Sequence, residues 1–405
     1  TDESPRGTGL PGPSPLTRLS RLHACVVAGE AAMAVSLADS MFLSISPTDA
    51  RPKVFFFLAL SFAPFVFVAR FVGPVVERFG GGQRAVLFGV CLMRAVLMVA
   101  VDSAIRSVLL FPVAFGALVL SKTYSISKSA TVPLLVTGDS RLVEANSRLA
   151  KIAGIVGFAA GVPAFLLQMI DPSLALYAAA LLFLLAAVQA WHLPSKRAEP
   201  AADPELEFRE LHSVSVVHAA NTMRFLRAAV GFMFFHLAFW LRSEIAGTAW
   251  FAFAIAVANL SILAANWAAP AVRARMSTQS MLTLSIALVA AGGLAAGFSG
   301  VFIAGILLTA VVNASAAIGR VAFEATVQSG APDAEKVGAF ARFETHNQLA
   351  WVAGGLVPVV LRLDGPSGSW CIGVVGVVGV LVLLRDRRLT APRAGRARAR
   401  ERRSR

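Results

Sequence analysis

Long apolar runs alternate with short polar turns along most of the chain. The runs cover 23–45, 54–72, 85–101, 107–126, 146–169 and 174–192, then 225–241, 246–272, 281–298, 301–318, 340–361 and 370–384. A helix rises about 1.5 Å per residue and the hydrocarbon core of a bilayer is about 30 Å thick, so each run is about long enough to cross as a helix. The pattern predicts an all-α membrane protein of twelve spans. They divide into bundles at 22–193 and 225–384. Residues 1–21, rich in Pro, Gly and Ser, are expected to form a disordered tail. Residues 194–224 read as a linker in which 211–226 forms an amphipathic helix on the membrane face. Residues 385–405 form a basic tail with ten arginines against Asp386 and Glu401.

Composition agrees with the pattern. Of 405 residues, 57% are hydrophobic and 15% charged, where soluble proteins carry about 25% charged residues. The mean hydropathy is +0.70. A formal net charge of +14 would suggest nucleic acid in a soluble protein. Here the basic residues fall in alternate connections and in the tail, which points to topology and to anionic lipid at the tail, not to nucleic acid. By the positive-inside rule both termini are expected in the cytoplasm. No cleavable signal pattern is read, because the first apolar run follows a long polar segment. Cys25, Cys91 and Cys371 stand isolated in apolar runs and read as packing residues.

The turn Gly73-Pro-Val-Val-Glu-Arg-Phe-Gly-Gly-Gly-Gln-Arg84 separates the second and third runs. Gly73, Glu77, Arg78, Gly80 and Arg84 resemble the loop 2–3 signature of the major facilitator superfamily, with Glu77 where Asp is usual. The second half also echoes the first. Ala145-Asn-Ser-Arg148 aligns with Ala339-Phe-Ala-Arg342, and Ala160-Gly161 with Gly354-Gly355 at the same offset. The resemblance implies two six-helix bundles related by a pseudo-two-fold axis, working as a transporter by alternating access. Gly154, Gly157 and Gly161 with Pro163 loosely resemble the glycine-proline motif of the superfamily's antiporters, which favours export. The arginine motif expected on the fourth span of many proton antiporters is absent. Lys122, Tyr124 and Lys128 stand there instead.

Charge at bilayer depth is costly, so an ionisable residue within a span is a functional candidate. Arg94 lies about 15 Å into the third run and Glu30 at a depth within about 3 Å of it. The two are predicted to pair, either as a static ion pair or as a proton or substrate contact. Asp39, about 14 Å farther along the first run, has no obvious cation at its depth and is the preferred proton carrier. The other reading makes it a hydrated residue of the outer funnel. The substrate cavity is expected to include Tyr124, His236, Phe239, Trp240, Asn259, Asn313 and His346. His236 also reads as a hydrogen-bonded packing residue. Arg320, Glu324, Arg342 and Glu344 are expected to form an ion-pair cluster that holds the cytoplasmic side shut, the role also given to Glu77 and Arg78.

Secondary transport, with proton-coupled efflux of a small lipophilic or amphipathic compound by a monomer, is the leading reading. One alternative keeps the fold and has Asp39, His236 and His346 meet as a site for a divalent transition metal, a loose resemblance to iron exporters of the superfamily. The other is a non-transporting receptor or scaffold. No nucleophile motif, phosphate-binding loop or metal motif is present, so neither an enzyme nor a bound cofactor is expected.

Overall fold

The computed structural model describes residues 13–38, 82–104, 107, 109–195, 204–241, 247–330, 336–361 and 363–403. They form twelve helices, with no strand among the described residues. In chain order these are α1 (Pro15–Ala38), α2 (Gly82–Ala104), α3 (Leu110–Leu135), α4 (Asp139–Ile170), α5 (Pro172–Trp191), α6 (Pro204–Leu211), α7 (Val214–Trp240), α8 (Gly247–Arg275), α9 (Thr278–Ser299), α10 (Phe302–Gly330), α11 (Lys336–Val360) and α12 (Gly365–Arg403). The run 54–72, Asp39, and Gly73, Glu77, Arg78 and Gly80 lie outside the described residues.

Local chemistry sets several boundaries. Helix α1 begins inside the segment read as a disordered tail. Ser14 caps it, its Oγ accepting the Thr17 N–H at 3.3 Å, and Pro15 supplies a first-turn residue without an N–H. Leu19 and Leu22, fully buried, anchor that first turn in the core. Between α4 and α5, Asp171 stops one helix and caps the next, accepting the Ser173 N–H at 2.7 Å. At the start of α12, Asp364 accepts the Ser367 N–H at 2.9 Å, and those hydrogen bonds hold its carboxyl below the usual carboxylate range. Gly138, at φ 89°, makes the turn between α3 and α4 in a region that favours glycine.

Two expectations change. The amphipathic segment 211–226 is not a separate surface helix. It is the first half of α7, and Val216, His218 and Thr222 are buried. Helix α3 runs nine residues past the predicted end at 126, through a stretch read as a charged connection. Its interior hydroxyls bond back to their own helix, Thr123 to the Val119 carbonyl and Thr131 to the Ser127 carbonyl. Such bonds satisfy polar groups without water.

Eight of the described helices are long and apolar enough to cross a membrane: α2, α4, α5, α7, α8, α9, α10 and α12. The long helices α1, α3 and α11 carry the interior charges Glu30, Lys128 and Glu344. Ile170, Phe298 and Val360 are exposed large apolar groups, as a lipid-facing surface requires. The packing repeats across the two halves. The pair α1–α4 is matched by α7–α11, α1–α5 by α7–α12, α2–α5 by α9–α12, and α2–α3 by α9–α10. Between the halves, α4 meets α8 and α10, and α3 meets α10 and α11. Apolar helices gain little by hiding from lipid, so close packing does the work. At α7–α11 it is closest: a Cβ on Gly231 would overlap the Trp351 carbonyl, and one on Gly354 the Ala228 carbonyl.

Candidate functional site

The interior polar groups fall into two centres. In the first half, Arg94 of α2 donates from Nη1 to Glu30 Oε1 of α1 at 2.8 Å, and Ser121 of α3 donates to the same oxygen at 2.7 Å. The Arg94 side chain is 0% exposed and its guanidinium stacks 4.1 Å over the Phe183 ring. Its Nε and Nη2 have no hydrogen-bond partner among the described residues. The aromatic face and one carboxylate oxygen hold the cation dry. The Glu30 side chain is 35% exposed.

The second centre lies where the halves meet. Arg320 of α10 donates from Nε to Glu324 Oε1 at 3.0 Å, one turn on. Here the cation is the exposed partner, at 40%, and the carboxylate is buried, at 10%. Glu344 of α11 lines the same small pocket as Arg320 and Glu324, within electrostatic reach of Lys122, Arg227 and Arg320. Lys128 of α3 stands within reach of Glu324 and Arg320. Beside it, His23 of α1 and the Tyr124 hydroxyl share a 3.0 Å hydrogen bond through His23 Nδ1.

One end of this region is tied shut. Asn146 of α4 donates to Gln328 of α10 at 2.8 Å, and Gln328 donates to the Ser129 carbonyl of α3 at 2.8 Å. Ser147 donates to the Asn266 carbonyl of α8. Farther toward the same end, Arg273 pairs with Asp139 at 3.7 Å. Four helices, two from each half, are thus joined by polar contacts at one level.

Above that level is a cavity of about 1150 Å³. Its floor carries His23, Lys128, Asn146, Arg320 and Glu324, and its walls are mainly apolar faces of α4 and α8. Gly154 and Gly157 of α4 line the wall, where a Cβ would meet Leu263 at 3.3 Å and Val27 at 3.4 Å, so both sit in close helix contacts at the cavity edge.

The other predicted site residues scatter. Asn259 lines the cavity, exposed, with its Nδ2 bonded to the Ile255 carbonyl. Tyr124 is buried behind His23. His236 does not face the cavity: it is buried, stacks on Trp240 and closes on Gly368 of α12. Trp240 covers Gly305 and Gly365, and Phe239 packs with Phe235 and Trp351. Asn313 bonds to the Thr309 carbonyl of its own helix, and exposed His346 to that of Arg342; neither lines the cavity. Arg342 is exposed and sits two residues from Glu344, on a different face of α11 from the Arg320 cluster. Arg84 stacks over Trp191 at 5.0 Å, joining α2 to α5. Among the described residues no group of three His, Cys, Asp or Glu is placed to hold a metal ion. Sequence reasoning missed His23, Lys128, Ser121, Asn146 and Gln328. The usable signal was on α3, where Ser121, Tyr124, Ser125 and Lys128 fall three, four and seven residues apart, on one helical face.

No family model matches the sequence. An uncharacterised protein of Mycobacterium leprae is 26% identical over 403 residues, covering 87% of this chain and 67% of that protein. Uncharacterised proteins of two Mycobacterium tuberculosis strains are 31% identical over 135 residues, covering 32% of this chain and only 24% of their own length. Among solved structures, a bacterial homologue of the iron transporter ferroportin in its outward-facing state matches with a TM-score of 0.68 at 14% identity, covering 92% of this chain and 98% of that one. The major facilitator transporter FucP in its outward conformation gives 0.65 at 13% identity, with coverage of 92% and 98%. The human organic anion transporter MFSD10 gives 0.62 at 14%, with coverage of 91% and 98%. The chain has the fold of major facilitator superfamily transporters.

Proposed function

We propose that the chain is a secondary transporter of a bacterial cytoplasmic membrane that works by alternating access. The observation that carries this reading is one-sidedness. A cavity of about 1150 Å³ lies between the halves and is sealed at one level by contacts that cross between them. Those seals are a few side-chain hydrogen bonds, each worth only about 1 kcal/mol net, so rocking can break them. With the positive-inside assignment the sealed end is cytoplasmic and the cavity belongs to the outward-facing state. The solved neighbours described as outward-facing support the same reading.

The cargo is a small amphipathic compound, moved outward, because the walls are apolar and the floor is charged. The driving ion is the proton. Glu30 is the carboxylate best placed to carry it among the described residues, since its partner is sealed and it is not. Asp39 remains a second candidate outside those residues. The basic tail rests on anionic lipid.

Alternating access is tested by labelling. A chain with Cys25, Cys91 and Cys371 replaced by Ser receives Ile255→Cys in the cavity wall. A membrane-impermeant maleimide is then offered from each side of sealed vesicles. Labelling is expected from one side in this chain, and from the other side in part once Asn146→Ala and Gln328→Ala remove the seal. Labelling from both sides at equal rate before that change, or no change of side after it, overturns the reading.

A further inference from the structure

We infer that the cavity takes an amphipathic organic anion: a carboxylate, sulfonate or phosphate head on an apolar body. This deepens the transport reading and rests on it. The argument is the charge left over at the cavity floor. Arg320 is matched by Glu324 at 3.0 Å, yet it is the guanidinium that opens to the cavity. Lys128 adds a second cation on the same floor, and the floor carboxylate within its reach, Glu324, is already bonded to Arg320. The described floor therefore carries two cations against one carboxylate.

His23 lines the same floor, buried at 6% exposure, with Nδ1 engaged by Tyr124 and its ring within hydrogen-bond reach of the Leu149 carbonyl. Asn146, held by Gln328, adds an amide at the same level. Lys128, Asn146 and Arg320 come from α3, α4 and α10, so three helices converge donors on one end of a cavity whose walls are apolar. A cationic substrate would meet like charge on the floor, and a neutral one would leave two cations there sharing Glu324.

The test uses three fluorescent probes with one body: pyrenebutyrate, pyrenebutanol and a pyrenebutyl trimethylammonium. Binding is measured to the full chain in phosphatidylcholine vesicles. Pyrenebutyrate is expected to bind at least about tenfold more tightly than the other two, a difference of ~1.4 kcal/mol. Lys128→Gln should abolish that preference, with its helical circular-dichroism spectrum showing that the variant is folded. Lys128→Arg should retain it within about threefold. Equal binding of the three probes, binding of none, or a preference untouched by Lys128→Gln overturns the inference. Exchange of pyrenebutanol by a protein without charge preference would remove this inference and leave the transport reading standing. A clear preference with no exchange of any probe would do the reverse. Repeating the measurement with phosphatidylglycerol present assigns the source: competition places a lipid anion in the same site, and its absence places a free solute there.

Discussion

Two interior ion pairs among the described residues use the same chemistry with opposite faces to water. At Glu30–Arg94 the cation is sealed and the acid is open, with exposures of 0% and 35%. At Arg320–Glu324 the acid is sealed, at 10%, and the cation is open, at 40%. A pair held by one hydrogen bond has one partner fixed by its surroundings and one free to exchange. In the first half, Phe183 holds the cation and the exchangeable group is a carboxylate. At the meeting of the halves the exchangeable group is a guanidinium, with Lys128 beside it. On the proposed reading the first arrangement serves a proton and the second an anion, with the division set by which partner is dry.

That contrast can be broken most directly by removing the acids. Glu30→Leu leaves Arg94 buried without its acceptor and is expected to cost about 3–5 kcal/mol, read as a large fall in thermal unfolding temperature in detergent. Adding Arg94→Met should restore most of that loss, because no stranded charge remains. Failure of the double variant to recover would mean the pair is not isolated as described. Next in size is the contrast of helix contacts. Gly354→Ala, which drives a methyl into the Ala228 carbonyl, is expected to cost about 1–3 kcal/mol. Smaller again, Glu324→Leu should cost only about 1 kcal/mol, since Arg320 can turn to cavity water. If it matches Glu30→Leu, the two pairs are alike and the comparison fails. The smallest effect is Gly161→Ala, where no atom stands near the added methyl, and helix propensity should give a gain of up to about 1 kcal/mol.

The legibility of the chain followed the same physics. Spans were readable where a helix faces lipid or a neighbouring apolar face, because every position is then greasy. The juxtaposition of Glu30 and Arg94 was readable because rise per residue converts position into depth. Helix α3 was cut short, and Lys128 was left in a connection, because a helix lining a polar cavity has the composition of a loop. His236 was placed in the cavity because an apolar run does not say which face of the helix looks inward. Gly368 of α12, far away in sequence, decides that. Gly161 and Gly355 align in the sequence echo, yet a Cβ on the first would meet nothing within 4 Å and one on the second would meet the Phe235 ring, and only the partner helix distinguishes them.

The central claim, that the open acid of the sealed pair carries the coupling proton, is tested most directly by one vesicle measurement. Pyrenebutyrate movement is followed in chains with Glu30 intact and with Glu30→Gln, with and without an imposed proton gradient. Glu30→Gln is expected to keep gradient-independent exchange and lose gradient-driven accumulation. Full gradient-driven accumulation by Glu30→Gln would contradict the account.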